Sequence, residues 1–89
     1  MIEREFTVNN RLGLHARATA RLVQVLAGYR STATLTAKGR EVNAKSIMGV
    51  MLLAAGMGTP VLLKVQGEDE AEAAQAVCDL FERRFDEDS

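Results

Sequence analysis

The chain has 89 residues, 47% of them hydrophobic, and a formal net charge of −1 at pH 7. This length suffices for one small domain with a single core, so we expect residues 1–89 to form one domain. No apolar run is long enough to span a bilayer, and a single cysteine excludes a disulfide framework. The charged start, MIEREF, lacks the apolar segment of a signal peptide. These features together predict a cytoplasmic protein.

Charge is distributed unevenly along the chain. Residues 1–45 contain eight Lys or Arg and three Glu, a net +5, whereas residues 46–89 contain three Lys or Arg and nine acids, a net −6. This asymmetry predicts a basic surface for a phosphate or an acidic partner, while the acids are best explained as the solvent face of a C-terminal helix. Nucleic-acid binding is a weak alternative, because one Tyr and no Trp leave little with which to stack bases. We therefore expect no nucleic-acid partner.

The first half of the chain predicts a strand, a helix and a hairpin. Residues 2–8 alternate polar and apolar side chains as a strand does, and residues 9–13 are predicted to form a loop. From Ala16 to Ala27 the apolar residues recur at helical spacing, and Gly28 is predicted to end the helix at a C′-like position. Two short strands, over 31–37 and in the segment KGREVNA, are predicted to turn at Lys38-Gly39.

The second half predicts a short helix, a strand and a longer helix. An apolar helix is predicted over 46–56, with Ser46 as its N-cap and Gly56 as its end. The segment TPVLLKVQG alternates as a strand, and Pro60 fits only at its start. In the last helix, Asp69 and Glu72 have the spacing of a capping box. Its predicted apolar stripe comprises Ala71, Ala74, Val77, Cys78, Phe81 and Phe85, and DEDS is predicted to be a frayed acidic tail.

The order of these elements, β-α-β-β-α-β-α, predicts the fold class. Helices that each have one apolar face must bury that face against the sheet formed by the short strands. We therefore expect an α+β protein of two layers, in which helices cover one face of a four-stranded antiparallel sheet. Cys78 lies on an apolar stripe and the chain has one histidine, so we expect Cys78 to pack in the core and no metal to bind.

The only histidine, His15, lies in the segment RLGLHARATA just before the first predicted helix. The unpaired N–H groups and the positive dipole end of a helix N-terminus favour anions, phosphate in particular. Arg17 can add a charge-assisted hydrogen bond to phosphate oxygens. A ring nitrogen of His15 beside such an anion site could accept a phosphoryl group. The alternative is a surface histidine that acts only as a helix cap.

Three segments carry a resemblance to a known family. GLHARATA is followed by NAKSIMGVMLL and then by GEDEAEAAQAV, at a characteristic spacing. With these segments the chain resembles, over nearly its whole length, the HPr family, the histidine-containing phosphocarriers of the phosphoenolpyruvate-dependent sugar phosphotransferase system. The resemblance implies an open-faced β-sandwich that is a phosphocarrier and not an enzyme, and that needs no cofactor.

The resemblance also implies roles for particular residues. His15 would take a phosphoryl group on Nδ1 from phosphorylated enzyme I and pass it to a histidine of an enzyme IIA component. Ala16 and Arg17 would bind the phosphoryl group at the helix end. Ser46 would be a regulatory serine that an ATP-dependent HPr kinase phosphorylates and through which a transcriptional regulator binds. The implied docking surface comprises Leu14, Thr19, Ala20, Arg21, Gln24, Ile47, Met48 and Met51.

Two positions depart from the family pattern. Ala18 stands where most members have proline, so the helix start gains an N–H donor and loses rigidity. Leu12 stands where many members have a small polar residue. We expect function to be retained with altered transfer kinetics. The alternatives are a carrier in a parallel nitrogen-type relay and a regulator that acts through phosphorylated Ser46 alone. A monomer is expected, because a carrier presents one face to successive partners.

Overall fold

The computed structural model describes residues 1–87, and its elements follow the predicted order. One antiparallel sheet has the strand order β1-β4-β2-β3. The strands are β1 (Ile2–Thr7), β2 (Thr32–Ala37), β3 (Arg40–Asn43) and β4 (Pro60–Gln66). The helices are α1 (Ala16–Ala27), α2 (Ile47–Leu52) and α3 (Glu70–Glu82), followed by a 3-10 turn over Arg84–Asp86. Within residues 1–87, no helix is both long and apolar enough to cross a membrane.

The central strand β4 supplies the middle of the core. Its buried residues alternate, with Val61, Leu63 and Val65 on the face that the helices cover. Leu63 pairs with Leu35 of β2, so two fully buried leucines meet across the sheet. The predicted alternation and the position of Pro60 as the first strand residue are therefore confirmed. The hairpin between β2 and β3 turns where expected, at Lys38-Gly39.

Helix α1 has the predicted bounds, and His15 is its N-cap. Ala18, Leu22 and Leu26 are fully buried because they share the apolar face of the helix, which lies in the hydrophobic core. Gly28 follows the helix as its C-cap with φ −78°, a right-handed conformation. The prediction that Gly28 takes the C′-like position beyond the cap is therefore wrong in detail, although the helix ends there.

Helix α2 begins as predicted and ends earlier than predicted. Ser46 is its N-cap, and the hydroxyl Oγ accepts a hydrogen bond of 3.1 Å from the N–H of Gly49. The helix ends at Leu52 instead of continuing to Gly56, because Ala54 takes a left-handed conformation with φ +49°. This turn leaves Ala55 buried, and its carbonyl accepts a hydrogen bond of 2.8 Å from the N–H of Leu14.

The start of α3 does not contain the predicted capping box. The Asp69 side chain makes no cap hydrogen bond; instead it accepts from the N–H groups of Arg30 and Ser31, at 2.8 and 3.0 Å, and from the Ser31 hydroxyl at 2.5 Å. The carboxylate thus ties the start of α3 to the chain that precedes β2. The predicted apolar stripe is confirmed for four residues, which are buried: Ala74, Val77, Phe81 and Phe85. It is wrong for Ala71, which is exposed, and for Cys78, which is half-buried. The buried face comprises Ala73, Ala74, Val77, Leu80 and Phe81.

We expect the free energy of unfolding of Asp69→Asn to fall less steeply with decreasing pH than that of the wild type. The Ser31 hydroxyl, followed by the Arg30 N–H, lowers the pKa of Asp69 below its ordinary value of 3.8. Because the unfolded carboxyl then protonates more readily than the folded one, this stabilisation is complete above pH 3.8 and is lost as the pH falls through the lower folded pKa. Urea unfolding from about pH 5 to about pH 2 measures the effect. Glu68→Gln, at an exposed neighbouring position, is the control, and an equal acid dependence in Asp69→Asn and wild type would contradict the prediction.

A left-handed turn after α3 brings the C-terminal segment back onto the domain. Arg84, Phe85 and Asp86 have φ values of 53°, 57° and 61°. Phe85 is fully buried, and its ring meets that of Phe81 edge-on at 4.9 Å. The prediction of a frayed tail is therefore wrong for Asp86 and Glu87, and its last two residues lie outside the described part of the chain. The turn carries Glu87 to the N-terminus of α1.

Candidate functional site

His15 occupies the N-cap position without acting as a cap through its side chain. Its backbone is extended, with φ −76° and ψ −178°, and its carbonyl accepts from the N–H of Thr19 at 2.8 Å. The imidazole makes no capping hydrogen bond and is 28% exposed. The alternative prediction, that His15 serves only as a helix cap, is therefore wrong for its side chain. The ring is available for another purpose.

The loop before His15 is fixed by contacts with the segment after α2. The N–H of Gly13 donates to the carbonyl of Asn10 at 3.1 Å, and Gly13 has φ +70°. A Cβ at this position would lie 2.5 Å from the carbonyl oxygen of Ala55, so only glycine fits. The adjacent hydrogen bond from Leu14 to Ala55 completes the anchor. The position of His15 is thus set by two segments that are distant in sequence.

The carboxylate of Glu87 contacts the imidazole directly. Its Oε2 lies 2.6 Å from Nε2 of His15, and its Oε1 accepts from Nδ2 of Asn10 at 2.9 Å. Nδ1 of His15 has no hydrogen-bond partner within residues 1–87. One ring nitrogen is therefore held while the other is open. Sequence analysis missed both Glu87 and Asn10, because nothing in the local pattern marks either of them.

The charge of Glu87 is favoured by its surroundings. Burial acts to raise the pKa of Glu87, but hydrogen bonds from Asn10 and His15, together with the positive charge of Arg21, outweigh it and lower the pKa below 4.5. The side chain is consequently a carboxylate at neutral pH. Such an acceptor favours a proton on the nitrogen that faces it, which here is Nε2.

His15 opens onto a basic cleft of about 710 Å³. The cleft is lined by Arg11, Leu12, His15, Ala16, Arg17, Arg21, Asp86 and Glu87. Arg17 is exposed, and within residues 1–87 no carboxylate lies in ion-pair distance of it. Arg21 donates from Nη1 to the carbonyl of Phe85 and so holds the C-terminal turn. The N-terminus of α1 and the arginines together make the cleft suited to an anion.

Two residues of the expected docking surface are in the core. Leu14 is 5% exposed and Thr19 is fully buried, with its hydroxyl donating to the Leu14 carbonyl at 3.0 Å. Neither side chain can meet a partner, so that part of the prediction is wrong. Gln24 is exposed, and Ala20 and Arg21 are half-buried. The remaining expected residues, Ile47, Met48 and Met51, are 45%, 74% and 42% exposed.

The exposed apolar surface is larger than the sequence indicated. Leu12, Leu52 and Met57 are 68%, 62% and 64% exposed. Leu52 directly follows Met51 in an entirely apolar helix, where periodicity cannot separate a core side chain from an exposed one.

The cysteine offers no second reactive centre. Burial raises the pKa of Cys78, with further contributions from Glu82 and Asp79, so the thiol stays protonated. Cys78 lies at the margin of the core, where a full core position was expected. Among residues 1–87, no three His, Cys, Asp or Glu side chains form a group that could hold a metal ion.

The fold and the site together define a class of protein. Helices cover one face of an antiparallel sheet, and one helix end presents an imidazole among arginines. This arrangement defines a small α+β protein with an anion-binding cleft beside a histidine.

Comparison with known proteins identifies the family. The PTS-HPr family, described as PTS HPr component phosphorylation site, matches residues 2–83, and the chain belongs to this family. Phosphocarrier protein HPr of Xylella fastidiosa (strain Temecula1) is 62% identical over 89 residues, which are 100% of both chains. Phosphocarrier protein NPr of Shewanella violacea is 35% identical over 88 residues, which are 99% of this chain and 97% of its own.

Solved structures confirm the fold. HPr-C-His from Thermoanaerobacter tengcongensis superposes with a TM-score of 0.96 at 40% identity and covers 100% of both chains. An HPr dimer from the same organism gives a TM-score of 0.78 at 41% identity, over 98% of this chain and 100% of that one. The resemblance to the HPr family and the open-faced α+β sandwich are therefore confirmed. The chain is a phosphocarrier of the phosphotransferase system and not an enzyme.

Proposed function

We propose that His15 accepts a phosphoryl group on Nδ1 from phosphorylated enzyme I and passes it to a histidine of an enzyme IIA component. One observation carries this proposal. The imidazole is partly exposed at the mouth of a basic cleft, with Nε2 bound to Glu87 and Nδ1 without a partner in residues 1–87. A nucleophilic nitrogen is thereby presented where an incoming phosphoryl group meets positive charge.

The surroundings of Nδ1 suit a phosphoryl group in transit. The first N–H groups of α1, which begins at Ala16, have no partner within the helix and can bind phosphoryl oxygens, and the Arg17 guanidinium adds a charged donor. Phosphoryl transfer needs positioning and charge stabilisation more than covalent assistance. Ala18 in place of a proline leaves one more N–H at this end of the helix. We expect that substitution to change transfer rates without preventing transfer.

Incubation with phosphoenolpyruvate and enzyme I tests the proposal. We expect one acid-labile phosphoryl group per chain, mapped to His15 by mass spectrometry under alkaline conditions. A parallel incubation with ATP and an HPr kinase distinguishes acid-stable phosphate on Ser46. Phosphate on Ser46 alone, with none on His15, would overturn the carrier proposal and favour the regulator that acts without transfer.

Partners are proposed to dock on the exposed part of α2 beside α1. Ile47, Met48 and Met51 supply an apolar surface, and methionine side chains adapt to several partners. Ala20 and Gln24 extend this surface along α1, and Arg21 contributes positive charge. A surface with an apolar centre and a charged rim is typical of a transient protein interface.

We expect Met48→Glu to weaken phosphoryl acceptance from enzyme I by roughly tenfold, because it places a charge in the apolar centre of this surface. Met48 is 74% exposed, so the free energy of unfolding should change by no more than about 0.5 kcal/mol. Initial rates at several concentrations of the carrier should show the loss as a higher KM. Ala71→Glu, at an exposed position on α3, is the control, and equal KM values for both variants would contradict the docking surface.

Ser46 is proposed as a regulatory phosphorylation site for an HPr kinase, with the phosphorylated form bound by a transcriptional regulator. Its hydroxyl caps α2, and a helix N-terminus tolerates a phosphate without refolding. The added charge would act by repelling partners that dock on α2. Ser46→Asp is expected to keep the circular dichroism spectrum of the wild type while slowing enzyme I-dependent phosphorylation of His15. A rate of His15 phosphorylation equal to that of the wild type would contradict the regulatory proposal.

The relay is proposed to be the sugar-specific one, since the HPr of Xylella fastidiosa is 62% identical and the NPr of Shewanella violacea is 35% identical. Transfer from the phosphorylated chain to a sugar-type or a nitrogen-type enzyme IIA distinguishes the two. We also propose a cytoplasmic, single-domain monomer without a nucleic-acid partner. Sedimentation equilibrium tests the monomer, because one crystal structure of the Thermoanaerobacter tengcongensis HPr is of a dimer.

A further inference from the structure

We propose that Glu87 is a positioning residue that selects Nδ1 of His15 as the phosphoryl-accepting nitrogen, by holding Nε2 in a hydrogen bond. The inference rests on the proposed function of His15 as the acceptor. Imidazole has two ring nitrogens that can each form a bond to phosphorus, so a carrier needs a means of presenting only one of them. The contact between Glu87 and His15 supplies that means.

Asn10 fixes the position of the Glu87 carboxylate. Its side chain is fully buried, and Nδ2 donates both to the carbonyl of Gly13 at 2.8 Å and to Oε1 of Glu87 at 2.9 Å. Reversing the amide would turn its oxygen toward two acceptors, so the donors must face this way. The cost is a buried Oδ1 that has no hydrogen-bond partner in residues 1–87. Asn10 and His15 thus offer one donor to each oxygen of the carboxylate.

The C-terminal turn delivers Glu87 to these donors. Three successive residues, 84–86, take left-handed conformations, which residues other than glycine rarely adopt because their Cβ clashes with the backbone. Burial of Phe85 and the hydrogen bond from Arg21 to its carbonyl offset this cost. Two separate hydrogen bonds therefore tie the end of the chain to the domain. One runs from Asn10, in the loop before α1, to Glu87, and the other from Arg21 of α1 to the carbonyl of Phe85.

The chemical consequence concerns where the proton and the lone pair lie. An Nε2–H that donates to a carboxylate at 2.6 Å leaves the lone pair on Nδ1. When Nδ1 forms its bond to phosphorus, the bond from phosphorus to the donor nitrogen breaks and the electron pair leaves with that nitrogen. The Nε2 proton stays on the ring, which becomes positively charged, and the Glu87 carboxylate stabilises that charge.

Phosphoramidate tests this selection without any protein partner. It transfers its phosphoryl group to imidazole nitrogen with release of ammonia, and phosphorus–nitrogen coupling in ¹⁵N-labelled protein identifies which ring nitrogen carries phosphorus. We expect the wild type to be modified on Nδ1 alone. Glu87→Ala should yield a substantial Nε2-phosphorylated product and a larger population of the tautomer protonated on Nδ1. Glu87→Gln keeps one acceptor oxygen for Nε2 but turns an NH2 group toward the Asn10 donor. We therefore expect it to restore only part of the Nδ1 selectivity.

Enzyme I then tests whether the positioning matters in transfer. We expect Glu87→Ala to lower the single-turnover rate by about tenfold with little change in the concentration that gives half-maximal rate, because the defect is one of orientation. Glu72→Ala, which removes an exposed carboxylate from α3, should match the wild type in every measurement.

The outcomes separate the two proposals. Modification by phosphoramidate on Nδ1 alone in Glu87→Ala, or an unchanged tautomer population, would overturn the role of Glu87. A changed tautomer with an unchanged rate would also overturn it as a positioning residue for transfer. Failure of the wild type to accept phosphate from enzyme I would overturn the proposed function instead, while the phosphoramidate products would still decide whether Glu87 selects the nitrogen.

Discussion

Replacing His15 with alanine is expected to reduce phosphoryl acceptance from phosphoenolpyruvate and enzyme I to background. The chain contains no other histidine, so no second imidazole can replace it. The Arg17 guanidinium and the N-terminus of α1 would still attract the donor, but neither can form the bond to phosphorus. Quantitative mass spectrometry under alkaline conditions measures the phosphate gained by each variant.

The fold of the His15→Ala variant should remain, because the imidazole is partly exposed and does not cap α1. Loss of its hydrogen bond to Glu87 should cost about 1 kcal/mol in the free energy of unfolding. Ser46→Ala is the matched control, since it also removes a polar group from a helix N-cap and should cost about 1 kcal/mol. Full acceptance is expected in that control. Acid-labile phosphate on His15→Ala would contradict the assignment of the acceptor.

Replacing Gly13 with alanine is expected to destabilise the protein by roughly 2–4 kcal/mol, the largest stability effect that we predict. The new Cβ would lie 2.5 Å from the carbonyl oxygen of Ala55 and 2.7 Å from Cα of Gly56, both backbone atoms that cannot rotate away. The left-handed conformation of Gly13 adds strain. Relief of the clash must move the loop that ends at His15, so acceptance from enzyme I should fall by about tenfold as well.

Gly39→Ala separates these two causes. Gly39 has φ +77° in the β2–β3 turn, and a Cβ there would meet nothing within 4 Å. This variant therefore carries the conformational strain alone, for which we expect about 1 kcal/mol and an unchanged rate of acceptance. Urea unfolding of both variants gives the comparison. Equal destabilisation of the two would show that the contact with Ala55 does not fix the loop.

The residues that sequence patterns located correctly are those whose environment is set by near neighbours. Alternation placed β4 and its buried face, and helical spacing placed α1 and therefore His15 at its N-cap. The side chain of Ser46 caps α2 because the N–H of Gly49 is three residues away. Each of these predictions depends on contacts within a few residues, which a single sequence records directly.

The sequence by itself determined the order of strands and helices, the lone histidine at a helix start and, through its motifs, the family. Only the tertiary structure decided that α2 ends at Leu52, that Leu14 and Thr19 are buried, and that the C-terminal segment folds back. The pair of Glu87 and His15 spans 72 residues of chain, and no local pattern encodes such a contact. It forms because the turn after α3 and the burial of Phe85 bring the chain end to the N-terminus of α1.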